Sequence, residues 1–237
     1  MNNEIGLDFL RSSKERLGVD YKVVSTEDWF SRHYPNKTFG EAALRHSILK
    51  KGIYFAEGVR GYHYYYVQKP VRIIELTIKG ETWMVSDWLH YSGMEDLAAA
   101  SKGRVLVAGL GLGMLTKFLM MNPKVDAVTT VERSSDVSGL VYPQLSLWNN
   151  VRSRLIKADF YKYVEENRDT YDTIILDLWV IGENATSEER SAVYHDVVKA
   201  VAICECYHPE AKLYVWGSRN RKYNPAVTID DAIKVLG

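Results

Sequence analysis

The chain has 237 residues, 46% hydrophobic and 25% charged, the make-up of an ordinary globular protein with room for a full core and a small appendage. Thirty Lys and Arg balance thirty Asp and Glu, so no overall field draws it to nucleic acid or to an anionic membrane surface. No apolar run is long enough to cross a bilayer, and the opening MNNEIGLDFLRSSKERL carries acids where a secretory leader needs an apolar stretch, so a cytoplasmic location is expected.

Residues 1 to about 50 read as helical pieces. Ser25 or Thr26 caps a segment holding Trp29 and Phe30, and Thr38 caps one holding Ala42, Ala43, Leu44 and Ile48. From about 51 to 87 the pattern turns to four short strands, GIYFAEG, YHYYYVQK, VRIIELTIKG and ETWMVSD, with Lys79-Gly80 as a hairpin turn. Tyr62, Tyr64 and Tyr66 share one strand face, which suits either a ligand cleft or a plain half-buried hairpin. An unpaired hairpin edge is a candidate contact for a homodimer. His90 and Tyr91 follow directly; each is a candidate general base or a packing residue.

From Lys102 onward strands and helices alternate, which predicts a parallel sheet with crossover helices. The strands fall at 104–108, 126–131, 154–158, 173–177 and 212–217; helices run from Asp159 to Arg168 and from Ser187 to Cys206, the second opened by a Thr186–Glu189 capping box. This divides the chain into residues 1–99, a helical and hairpin region shaping a substrate cleft, and 100–237, an α/β nucleotide-binding domain. Cys204 and Cys206, two apart on a helix, point away from each other, and with His208 they lack a fourth ligand, so no metal is expected.

The most informative stretch is RVLVAGLGLGMLTKFLMM, residues 104–121. An apolar strand meets Gly109, Gly111 and Gly113, and an amphipathic helix follows at once; glycines admit a ligand close to the backbone, and a helix start offers free N–H groups. Met114 stands where a dinucleotide fold places its third glycine, which disfavours NAD. Glu132 ends the second strand, where it is either a solvated acid or a bidentate acceptor for a ribose diol. Asp159, followed by Phe160, is an adenine-amine acceptor, a helix N-cap, or both. Asp177 ends a very apolar strand and points into the crevice outside the sheet; Trp179, two residues on, walls a pocket or plugs the sheet top.

Taken in order, the glycine turn, Glu132, Asp159 and Asp177 resemble the S-adenosylmethionine (SAM)-dependent methyltransferase superfamily. The β-rich segment directly before the turn is similar to its spermidine synthase-like branch, and the resemblance spans roughly residues 80 to 218. It implies a Rossmann-like α/β fold and SAM as cofactor. Gly109, Leu110, Gly111 and Gly113 would lie at the methionine end, Glu132 on the ribose, Asp159 and Phe160 at the adenine, and Asp177 facing the reacting nucleophile. His90 and Tyr91 would assist Asp177, with Trp179 and Tyr64 on the substrate side.

Two departures shape the expected reaction. Aminopropyltransferases typically carry GGGDGG where this chain has GLGLGM, so Leu112 replaces an acid, and Val180 stands where they place a second acid. A cationic polyamine needs several carboxylates, so methyl transfer to a small molecule fits better than aminopropyl transfer from decarboxylated SAM. The prolines of an amino-methyltransferase motif are also missing after Asp177, against a nucleobase amine. A non-catalytic protein that keeps the SAM fold is the remaining alternative.

Overall fold

The computed structural model describes residues 21–24, 34–58, 61–145, 153–180, 185–218, 220 and 222–225. Its frame is a five-stranded, all-parallel sheet built from β8 (Gly103–Ala108), β9 (Val125–Glu132), β10 (Ser153–Lys157), β11 (Thr173–Leu176) and β12 (Lys212–Val215). The spatial order is β10-β9-β8-β11-β12, with the chain starting in the middle and winding outward in both directions. That order is the Rossmann-like arrangement, and its reversal between β8 and β11 opens a crevice at the carboxyl ends of the strands.

Strands buried on both faces have to be apolar throughout, and Val105, Leu106, Val107 and Ala108 are all buried. Their alternation sorts them into two cores. Val105, Val107, Val128 and Ile175 pack with helices α1 (Trp88–Ala100), α2 (Met114–Met121) and α3 (Ser135–Leu145). Leu106, Ala108, Ile174 and Leu176 face α4 (Phe160–Glu166) and α5 (Ser187–Tyr207) on the other side. The first core also contains Ala42, Leu44, Ile74 and Leu76, so it runs without a break into the N-terminal strands.

Those strands form two smaller sheets. β2 (Lys37–Phe39), β3 (Ala42–Leu49), β6 (Val71–Ile78) and β7 (Glu81–Val85) are antiparallel in the order β2-β3-β6-β7. β1 (Tyr21–Val24), β5 (Gly61–Val67) and β4 (Gly52–Gly58) make a three-stranded sheet in which β1 runs parallel to β5. The Lys79-Gly80 turn is present, both residues holding positive φ (54° and 83°) as a two-residue hairpin loop requires.

The expected helix capped by Thr38 is overturned: Thr38 lies in β2, and Ala42 to Ile48 lie in β3. Gly40, at φ 57°, turns the chain, and all eight residues of β3 pair with β6 from Ala42–Ile78 to Leu49–Val71. That partnership lies about thirty residues away and outweighs local helix propensity. The Trp29–Phe30 segment falls outside the described residues. α1 and α3 have no counterpart among the predicted elements. Gly93 interrupts the one, and Gly139 and Pro143 interrupt the other, where helix formers are expected. Among the described residues, no helix is long and apolar enough to cross a membrane.

Candidate functional site

The glycine turn takes a backbone that glycine adopts freely and other residues do not. Gly109, Gly111 and Gly113 hold φ of 93°, 50° and 74°. A Cβ on Gly109 would strike the Asp177 carbonyl oxygen, and one on Gly111 would meet the Met84 sulfur at 2.7 Å. The turn is also wired to its surroundings. Gly109 N–H donates to the Val131 carbonyl at 2.9 Å, and Leu110 N–H donates to Glu132 Oε2 at 3.0 Å. Leu112 N–H donates to the Met84 thioether at 3.2 Å, and the Leu112 carbonyl accepts from the Tyr34 hydroxyl. Glu132 is therefore held in place before any ligand arrives: its second oxygen accepts from Ser134 N–H at 2.7 Å. Each carboxylate oxygen retains lone-pair capacity for a further donor.

Above the strand tips lies a cavity of about 600 Å³, within the usual size for a small-molecule or cofactor site. It brings together Gly109, Gly111, Glu132, Asp159, Phe160, Asp177, Trp179 and His90. Asp159 caps α4 through Lys162 N–H at 3.2 Å while lining the cavity, so the helix-cap role is present at a cavity-facing position. Phe160 is buried at the same corner.

Leu110, Gly113 and Tyr91 are not among the described residues that line it. Leu110 is buried in the first core and reaches the site only through its backbone; Gly113 lies behind it against Leu145. Tyr91 packs edge-on against Phe118, ring centroids 4.8 Å apart. Tyr64 pairs with Tyr21 and Phe55 along the backbone, and its side chain lies outside what the structure describes. Leu112, at the position of the missing acid, is fully buried and faces no ligand space.

Asp177 and His90 form the electrostatic centre. Burial raises the Asp177 carboxyl to about 6; the nearby His90 charge works against this and the Glu132 charge with it. Burial opposes protonation of His90, but the Asp87 hydrogen bond and the charges of Asp87 and Asp177 outweigh it and raise the imidazole. Asp87, the N-cap of α1, takes both the His90 backbone N–H (2.9 Å) and its Nδ1 (2.7 Å) on one oxygen. A carboxylate only accepts, so Nδ1 carries the proton and Nε2 is the free nitrogen. Trp216, just past β12, stacks on the His90 ring at 5.9 Å between centroids and also lines the cavity.

Trp216, Met84, Trp83 and Asp87 were not singled out in the sequence. Trp216 carried a usable signal, since it sits at the tip of the fifth strand beside Asp177; the others reach the site from a hairpin and a helix cap and leave no mark in local spacing.

No protein-family model matches the chain, and no curated protein matches it. Among solved structures it is similar to spermidine synthase from Thermotoga maritima, at 16% identity and a TM-score of 0.36 over 44% of this chain. A spermidine synthase in complex with the transition state analogue AdoDATO gives 17% identity and a TM-score of 0.37 over 45%. Precorrin 8w decarboxylase from Methanobacterium thermoautotrophicum gives 13% and 0.40 over 62% of this chain and 67% of its own. The matched region spans 43% of each spermidine synthase, less than half of its length.

Proposed function

We propose that the protein is a transferase that binds SAM across the tips of β8, β9 and β11 and passes its methyl group to a small molecule. The observation that carries this reading is the ordered meeting, in one cavity, of a positive-φ glycine turn, a clamped Glu132, Asp159 beside Phe160, and Asp177. These residues fit the cofactor: Glu132 retains acceptor capacity for two ribose hydroxyls, Asp159 has an oxygen besides its capping one for the adenine amine, and the glycines leave backbone bare at the methionine end. When bound, SAM supplies a methyl group already activated by its sulfonium. What remains for the chain is alignment and proton management. Asp177, ionised above about pH 6, orients the incoming nucleophile and accepts its proton, with His90 Nε2 as the neighbouring base.

One observation favours a second reading, aminopropyl transfer from decarboxylated SAM. The N–H groups of Leu110 and Leu112 are already taken by Glu132 and Met84, and the basic residues among the described cavity lining are Arg133 and His90. A donor without a carboxylate asks less of that end.

Calorimetry with SAM and with decarboxylated SAM separates the two. Loss of the charge-assisted ribose contacts in Glu132→Ala should weaken donor binding by about tenfold to a hundredfold. Glu132→Gln, which keeps the shape, controls for folding. Unchanged affinity in both variants would remove the adenosyl assignment.

A further inference from the structure

Besides its acids, the cavity is lined by a set of aromatic and thioether side chains. They are Trp216, stacked on the His90 ring, with Trp83, Met84 and Met94. Trp216 is seated by design of the helix beneath it: a Cβ on Gly93 would come within 2.5 Å of its six-membered ring, so only glycine lets the indole lie against α1. The uncovered part of that ring lines the cavity.

Asp177 faces His90, and His90 is anchored to Asp87; these two carboxyls are the charged groups that act on His90 from the elements around it, while Glu132 acts on Asp177. Asp87 is spent on His90, which leaves Asp177 as the one carboxyl beside the stacked rings that is open to an acceptor. Glu132 and Asp159 are tied to backbone N–H groups, and Asp196, exposed on α5, also lines the cavity. A polyamine needs several carboxylates and would find one here beside π and thioether surface, whereas a flat ring carrying one ionisable group would fill it.

We infer that the acceptor is a neutral, flat aromatic molecule carrying one ionisable O–H or N–H, such as a phenol or an N–H heteroaromatic, stacked on Trp216 with that group toward Asp177 and His90. This rests on the transferase reading above, and it assigns Trp216 as the residue that selects the acceptor and Asp87 as a positioning residue for His90. The acceptor's O–H or N–H bond breaks and its proton passes to the Asp177–His90 pair, while the electron pair on that oxygen or nitrogen forms the bond to the donor's methyl carbon as the methyl–sulfur bond breaks and its pair stays on sulfur, which leaves as a neutral thioether.

The test is calorimetric binding of 2-naphthol and of putrescine to the full chain, with and without SAM. Wild type should bind 2-naphthol and bind putrescine at least tenfold more weakly. Trp216→Leu should lose at least tenfold in 2-naphthol affinity with SAM affinity unchanged, while Trp216→Phe stays within threefold. Gly93→Ala, which keeps the indole but pushes it off α1, should lose as Trp216→Leu does and guards against a variant that fails to fold. Tighter binding of putrescine, or 2-naphthol affinity kept at the wild-type level in both Trp216→Leu and Gly93→Ala, would overturn the inference. Failure of SAM to bind while 2-naphthol still depends on Trp216 would instead strike the transferase reading alone.

Discussion

The two ends of the five-stranded sheet are made by the same strands and are opposite in temperament. At the amino end, Arg154 pairs with Asp169 and donates to Thr129 at 2.9 Å, Arg104 lies 3.7 Å from Asp169, and Tyr163 and Tyr171 share a 2.7 Å hydrogen bond. Each of these three charges has a partner, and Arg154 holds the Asp169 carboxyl below its ordinary range. At the carboxyl end the backbone takes left-handed turns, and Asp177 is pushed the other way. One end is organised for stability and the other gives some of it up, which is how a binding crevice at strand tips is expected to behave.

The largest break in this contrast comes from the carboxyl end. Gly109→Ala forces a side chain into a φ of 93° and into the Asp177 carbonyl, so it should cost about 3 kcal/mol or more, read as a drop in the urea midpoint. Wild-type stability on alanine substitution would mean that the turn relaxes freely to admit a side chain. Asp177→Asn should act in the reverse direction. Burial raises this carboxyl from 3.8 to about 6, so its charge destabilises the fold above that pH, and the penalty fades as pH falls through 6 toward 4. The variant should gain about 1–2 kcal/mol at pH 8, gain nothing at pH 4, and lose transfer activity. Equal stability of the two proteins across that range would remove Asp177 from the electrostatic centre.

The contrast also marks what could be read in advance. The parallel half was legible because strands buried on both faces leave continuous apolar runs, as in Val105 to Ala108 and Thr173 to Leu176, and because Thr186 and Glu189 write a capping box in plain spacing. β3 was misread as a helix because its partner, β6, is distant in the chain, and pairing of that kind leaves only a weak local signature. The acids at strand tips followed from chain order. The wiring around them did not: Met84 reaches the Leu112 N–H from a hairpin 28 residues away, and Asp87 matters only because a helix cap and a histidine share one oxygen.

The smallest effect should come from the satisfied end, and its sign sharpens the comparison most. Arg154 lowers the Asp169 carboxyl, so the ion pair adds stability above the unfolded value near 3.8 and loses it as pH falls through the folded value. Both partners are well exposed to solvent, which limits the pair to about 0.5–1 kcal/mol and makes it sensitive to salt. Asp169→Asn should therefore lower stability slightly at pH 7, by less in 1 M salt, and by progressively less as pH falls below 3.8, with SAM affinity unchanged throughout. Acid thus relieves one end of the sheet while it loosens the other. A stability profile in which Asp169→Asn and Asp177→Asn shift in the same direction with pH would show that the two ends are not electrostatically opposed.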